Sequence, residues 1–140
     1  MIQRQQTLWL LLASVGAFLT FQFPFLTGTK IITAQTQPVV EELDAGSTLF
    51  LLLLTVVSLI LSTVTIFLFK DRKMQLKLSL TGIVLSVIIL VLYILEMQKF
   101  EKTTLALYCI LPLLVVVGYI MAFRGIRHDE KLVKSLDKLR

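Results

Sequence analysis

Charge is scarce in this chain of 140 residues: 16% are Asp, Glu, Lys or Arg, while 56% are hydrophobic. A soluble domain carries about 25% charged and roughly 45–50% apolar residues. A fold of this size leaves much of its area exposed, so so much apolar surface must meet lipid rather than water. One cysteine and one histidine exclude a disulfide scaffold, a bis-histidine haem site and the Cys/His clusters of structural zinc. Six glycines and three prolines exclude a collagen-like repeat, and the high hydrophobicity excludes disorder. No nucleophile elbow or phosphate-binding glycine loop occurs. The expected catalytic, cofactor and metal residues are therefore none, and the chain is read as a non-enzyme.

The most informative absence is local. No Asp, Glu, Lys, Arg or His lies in the apolar stretches 7–26, 49–69, 78–95 and 105–123. Each has 18 to 21 residues, enough at about 1.5 Å per residue to cross roughly 30 Å of hydrocarbon. The expected fold is one domain, 1–140: an all-α membrane protein built as an antiparallel four-transmembrane-helix bundle. The first stretch is too long for the apolar region of a removable signal peptide, about 7–15 residues, so it reads as a retained span. Pumps, proton-coupled exchangers and voltage sensors place ionisable residues at membrane depth, and these spans have none. Pro24 and Pro112 are expected to kink or end their helices.

The positive charges are unevenly placed. Arg4, the connection with Lys70, Arg72, Lys73 and Lys77, and the tail with Arg124, Arg127, Lys131, Lys134, Lys138 and Arg140 hold eleven of the fourteen Lys and Arg residues. Only Lys30, Lys99 and Lys102 fall in the other connections. The positive-inside rule then puts both termini in the cytoplasm. Much of the net charge of +5 is thereby a consequence of topology rather than a sign of nucleic-acid binding.

Helices in lipid associate through close backbone approach and interhelical hydrogen bonds. Thr55, Ser58, Ser62 and Thr65 form one stripe on the second span, and Ser79, Gly82 and Ser86 form another on the third. The short connection between these spans makes them an antiparallel pair, with the stripes expected to face each other. Ser58, Ser62, Ser79, Gly82 and Ser86 are the expected packing residues. The same hydroxyls could instead line a polar path, which keeps a small transporter or channel for a neutral or apolar solute as the alternative. Glu96, just past the third span, pairs with Lys99 or caps a cavity at the outer face. Cys109 fills space, and His128 is solvated.

The outer loop 27–48 has β-prone runs on either side of a polar stretch with Pro38, which suggests a small hairpin or flap, followed by helix entry through Ser47. In the tail 124–140, Ile126, Leu132, Val133, Leu136 and Leu139 share one side of a helical wheel. Arg124, Arg127, Lys131, Lys134 and Lys138 lie nearly opposite, and Glu130 is four residues before Lys134. A short cytoplasmic amphipathic helix is expected from about Arg127. It could lie on anionic lipid, meet an acidic protein or RNA, pack against a second copy, or simply fix topology. The tail lacks the aromatic residues of a sequence-specific nucleic-acid module. Gln3, Arg4, Arg72, Gln75, Arg124, Arg127, Lys131, Lys134 and Lys138 form the expected interaction surface.

The opening Met1-Ile-Gln-Arg-Gln-Gln-Thr-Leu-Trp-Leu-Leu-Leu-Ala13, the connection Phe69-Lys-Asp-Arg-Lys-Met-Gln-Leu-Lys77 and the ending from Arg124 to Arg140 together resemble the DUF4293 family. The resemblance implies a small four-span inner-membrane protein of Bacteroidetes. It assigns no catalytic or cofactor residues, and it directs attention to the cytoplasmic side. The resulting expectation is an accessory, scaffold or assembly factor presenting a basic cytoplasmic surface. Its expected partners are the lipid bilayer, a cytoplasmic-face protein or anionic lipid, and a second copy.

Overall fold

The computed structural model describes residues 3–30, 39–68, 71–100 and 102–137. Among them run α1 (Gln3–Leu19), β1 (Leu26–Lys30), β2 (Val39–Leu43), α2 (Leu49–Phe67), α3 (Arg72–Met97), β3 (Lys102–Leu105) and α4 (Ile110–Asp137). A single 3-10 turn, Leu107–Cys109, leads into α4. Among the described residues, three helical stretches are long and apolar enough to cross a membrane: Leu49–Phe67, Arg72–Met97 and Leu107–Ser135. The chain is a helical membrane protein.

Three of the four expected spans are shifted at their ends. The stretch 7–26 does not continue as helix to its end: α1 stops at Leu19. Pro24 disfavours helical backbone at the residue before it, and Leu26 gains more by pairing in β1, where it is fully buried. The 17 residues of α1 therefore cover only about 25 Å. The fourth helix starts at Ile110 rather than near 105 because 102–105 pairs as β3. Pro112 then sits in the first turn of α4, where its missing N–H has no intrahelical partner to lose, so it kinks nothing. The third helix starts at Arg72, six residues before the apolar stretch. The second matches 49–67, with 69–70 outside the described residues.

A hairpin was expected in the loop 27–48, and a larger sheet is found. The strands are antiparallel in the order β2-β1-β3, with Leu26 opposite both Leu43 and Leu105. The third strand comes from the connection after α3, which short-range patterning cannot reveal. Residues 31–38, which include Pro38, lie outside the described residues. Leu26 and Leu43 cover the ends of the helices by packing with Leu51, Ile89 and Tyr93, and the Phe25 ring stacks on Tyr93 at 4.7 Å. Ser47 does not cap α2. Its hydroxyl donates to Asp44 Oδ1 at 2.8 Å and accepts from the Asp44 backbone N–H at 2.7 Å, closing the turn before Thr48 begins the helix.

Below the sheet, α1 packs on α2 and α4, and α3 packs on α2 and α4. Contacts between Gly118 and Ala13 and between Gly16 and Val115 make α1 and α4 antiparallel. Tyr119 is the central residue. It is fully buried, its hydroxyl donates to the Ser58 backbone carbonyl at 2.7 Å, and its ring fills the notch at Gly82, where any Cβ would overlap it. The two small-residue stripes thus face the interior, as their spacing suggests, but an aromatic ring from α4 lies between them at this level. Four of their hydroxyls donate within their own helices, Thr55 to Leu51 O at 2.6 Å, Ser62 to Leu59 O at 2.9 Å, Thr65 to Leu61 O at 2.6 Å and Ser86 to Ile83 O at 2.9 Å, whereas the Ser58 hydroxyl lies 3.5 Å from that of Tyr119 and Ser79 Oγ has no partner among the described residues. Apart from Ser58, these positions contribute small volume to the packing rather than strong hydrogen bonds between helices.

Gly82→Leu should overpack this notch at a cost of about 1–3 kcal/mol and lower the melting temperature in detergent by several degrees. Tyr119→Phe, which loses one hydrogen bond worth about 0.5–1.5 kcal/mol, should lower it less. An unchanged melting temperature for Gly82→Leu would contradict the packing.

Candidate functional site

The end of the helices opposite the sheet gathers most of the described charge. Here the last turns of α4 rise past the start of α1 and the start of α3. Ile126 is buried, and Asp129, 92% buried by its 8% exposure, accepts a hydrogen bond at Oδ2 from the side-chain amide of Gln6, itself buried on α1. Its Oδ1 has no hydrogen-bond partner among the described residues. A carboxylate taken out of water is tolerated only where hydrogen bonds or charge offset its desolvation. Gly125 makes room for this pair, since a Cβ there would come within 2.9 Å of Gln6 Cγ. On the other flank, Gln75 is buried and donates from Nε2 to the Thr65 backbone carbonyl at 3.3 Å.

Beyond Asp129 the packing stops. Lys131, Leu132, Val133, Lys134 and Ser135 are all exposed, although α4 continues without interruption to Asp137. Lys134 Nζ lies 2.7 Å from Glu130 Oε1, and that hydrogen bond and charge hold the Glu130 carboxyl below its usual range, with smaller contributions from Lys73 and Arg127. An open cleft of about 710 Å³ separates the start of α3 from the projecting turn of α4, lined by Asp71, Arg72, Lys73, Met74 and Val133.

The structure brings together much of the expected interaction surface. Arg124, Arg127, Lys131 and Lys134 are exposed along α4, and Arg72 lies half-buried at the cleft. Gln75 turns inward to α2, which removes it from that surface. The side chains of Gln3 and Arg4, and the whole of Lys138, lie outside the described residues. The expected separate amphipathic helix is corrected: the tail continues α4 as one helix, and Ile126, placed on its apolar side with Leu132 and Val133, is instead buried against the rest of the fold. Sequence reading missed Asp129 and Gln6. Asp129 sits among His128, Glu130 and Lys131, a run that resembles a solvated face, and only its step of three from Ile126 hints that it faces inward. His128 is exposed, as expected.

Elsewhere the sites are sparse. Among the described residues no group of three or more His, Cys, Asp or Glu could hold a metal ion. Glu96 pairs with Lys99 at 2.6 Å, the reading that its spacing suggests. Cys109 is half-buried in the turn before α4. Between the helices, a cavity of about 10 Å³ is lined by Ala17, Thr20, Thr55, Ser58, Ser86, Ile89, Pro112 and Val115. That is about the volume needed for one water molecule.

If the Asp129 and Gln6 pair holds the end of α4 on α1, Asp129→Ala leaves the Gln6 amide buried without its acceptor, at a cost of about 1–3 kcal/mol. Limited trypsin digestion in detergent should then cut after Arg124 and Arg127, whereas the unaltered chain should be cut first after Lys131 and Lys134. The same cleavage order in both proteins would show that the pair does not hold this segment.

Neither the curated proteins nor the solved structures include a match to the chain. A family model described as a domain of unknown function, DUF4293, matches residues 2–139, which takes in the helices, the sheet and the basic end alike. The chain belongs to the DUF4293 family.

Proposed function

We propose that the chain is a four-span protein of the bacterial inner membrane, with both termini cytoplasmic, whose helices hold a basic surface in the cytoplasm for an accessory, scaffolding or assembly role without catalysis. The observation that carries this reading is the continuity of α4, a helix of 28 residues. At about 1.5 Å per residue it is about 42 Å long, more than the roughly 30 Å of hydrocarbon, and the surplus carries exposed Arg127, Lys131 and Lys134.

The fourth span is α1. It is shorter than the others, but it contacts α4 from Gln6 and Asp129 at the basic end to Gly16 and Val115 nearer the sheet. A helix aligned along its neighbours in this way occupies the same depth of bilayer. Its outward stripe of Leu8, Leu11, Val15 and Phe18 is exposed and apolar, as a lipid-facing side requires. The excess of Lys and Arg at the end holding both termini supports the orientation.

The test is crosslinking in native membranes, comparing the full chain with one cut after Glu130. That boundary matters, because a cut after Phe123 would also remove the buried Ile126 and Asp129. Loss of a protein partner on truncation is the expected result. An unchanged set of partners would refute the reading. Orientation is checked in the Cys109→Ser background: Ser135→Cys should react with an impermeant maleimide only after the cells are opened, and Thr103→Cys should react in intact spheroplasts.

A further inference from the structure

Resting on the reading of the basic end as a cytoplasmic surface, we propose that the cleft between the start of α3 and the projecting turn of α4 receives an acidic amphipathic helix from a partner protein. Three observations favour this occupant. First, Met74, Leu132 and Val133 are exposed apolar residues on facing elements, and Met74 and Val133 both line the 710 Å³ cleft. The turn after Glu130 is held helical by its continuity with α4, yet its apolar residues are left uncovered.

Second, the cleft is cationic. Arg72 and Lys73 line it beside Asp71, and Lys131 lies on the projecting turn; none of the three basic residues forms an ion pair among the described residues, although Lys73 is near enough to Glu130 to help lower its pKa, whereas Lys134 pairs with Glu130 directly. The first residue of α3 is Arg72, so the positive end of that helix dipole adds to the same field. Acidic side chains flanking an apolar stripe at i, i+3, i+4 and i+7 spacing match both features, in the helix-in-groove mode of recognition.

Third, the competing occupants fit less well. A tail lying on the leaflet would bury its leucines in lipid, but α4 runs straight on from its span, and Val133 is ten residues past Phe123, about 15 Å along the axis. A second copy would bring together two ends that each carry, among the described residues, eight Lys and Arg residues against Asp71, Asp129, Glu130 and Asp137, and like charges across an interface oppose association.

The test places the photoreactive residue p-benzoylphenylalanine at Val133 or at Met74 in the full chain, in native membranes, and maps the attached peptides by mass spectrometry. The proposal expects both positions to mark one protein, in a segment with a surplus of Asp and Glu and apolar residues at helical spacing. It also expects Lys73→Glu combined with Lys131→Glu to reduce that product at least five-fold while leaving the amount and melting temperature of the protein unchanged. Lipid adducts, adducts between two copies, a marked segment without acidic surplus, or a product indifferent to charge reversal would each overturn it. If truncation after Glu130 removes a partner but position 133 marks no acidic helix, this inference falls and the broader reading stands. If truncation removes no partner, both fall.

Discussion

The arrangement of the helices depends on how one tyrosine is accommodated in an apolar interior. Tyr119 brings a hydroxyl to a place where an unpaired donor would cost about 1–3 kcal/mol, and it is satisfied by a backbone carbonyl of α2 that an intrahelical bond already uses on its other lone pair. Its ring needs space on a third helix, which Gly82 provides. Three helices are thereby held at one level by one side chain. α1 joins them through the seam of Ala13, Gly16 and Gly118, where backbones approach closely. No hydrophobic force drives this assembly in lipid, so shape and the pairing of the few polar groups must do so.

The same economy of polar groups explains the two ends. At one end the sheet hydrogen-bonds the chain that leaves the helices, and its leucines cover their tips. At the other, Gln6, Asp129 and Gln75 form a layer of buried polar side chains, the first two from helices distant in sequence. This layer fixes α4 up to Asp129 and leaves the remainder bare. The proposed function rests on that contrast: a segment held by packing below it, but itself uncovered, presents its charges and its apolar residues in a fixed direction.

Much of this was legible in the sequence. Charge-free runs located the three helices that are long and apolar enough to cross a membrane among the described residues, and the shorter α1 beside them. Step-of-three-and-four spacing identified the inward residues of α2 and α3, since helical geometry alone decides which positions share a face. Tyr119 as the object packed between those faces was not legible, because which residue fills a notch depends on the relative rotation of separate helices. The early end of α1 at Leu19 and the strand at 102–105 were hidden for a related reason: β1 pairs with segments on both sides of it in space, one of them more than seventy residues away. Asp129 was hidden by composition. A carboxylate in a charged run resembles a solvated residue until Gln6, whose amide donates to it, is seen across the interface.

The central claim is that α4 carries Val133 straight out of the bilayer as a continuation of its span. Spin-label accessibility tests it directly. With Cys109→Ser as background, labels at Val133→Cys and at Val117→Cys are compared in nanodiscs by power saturation with oxygen and with a water-soluble nickel complex. The account predicts that the label at 133 is relaxed mainly by nickel and the label at 117, on the exposed apolar side of α4, mainly by oxygen. Predominant relaxation by oxygen at 133 would place the tail in the lipid interface and contradict the account.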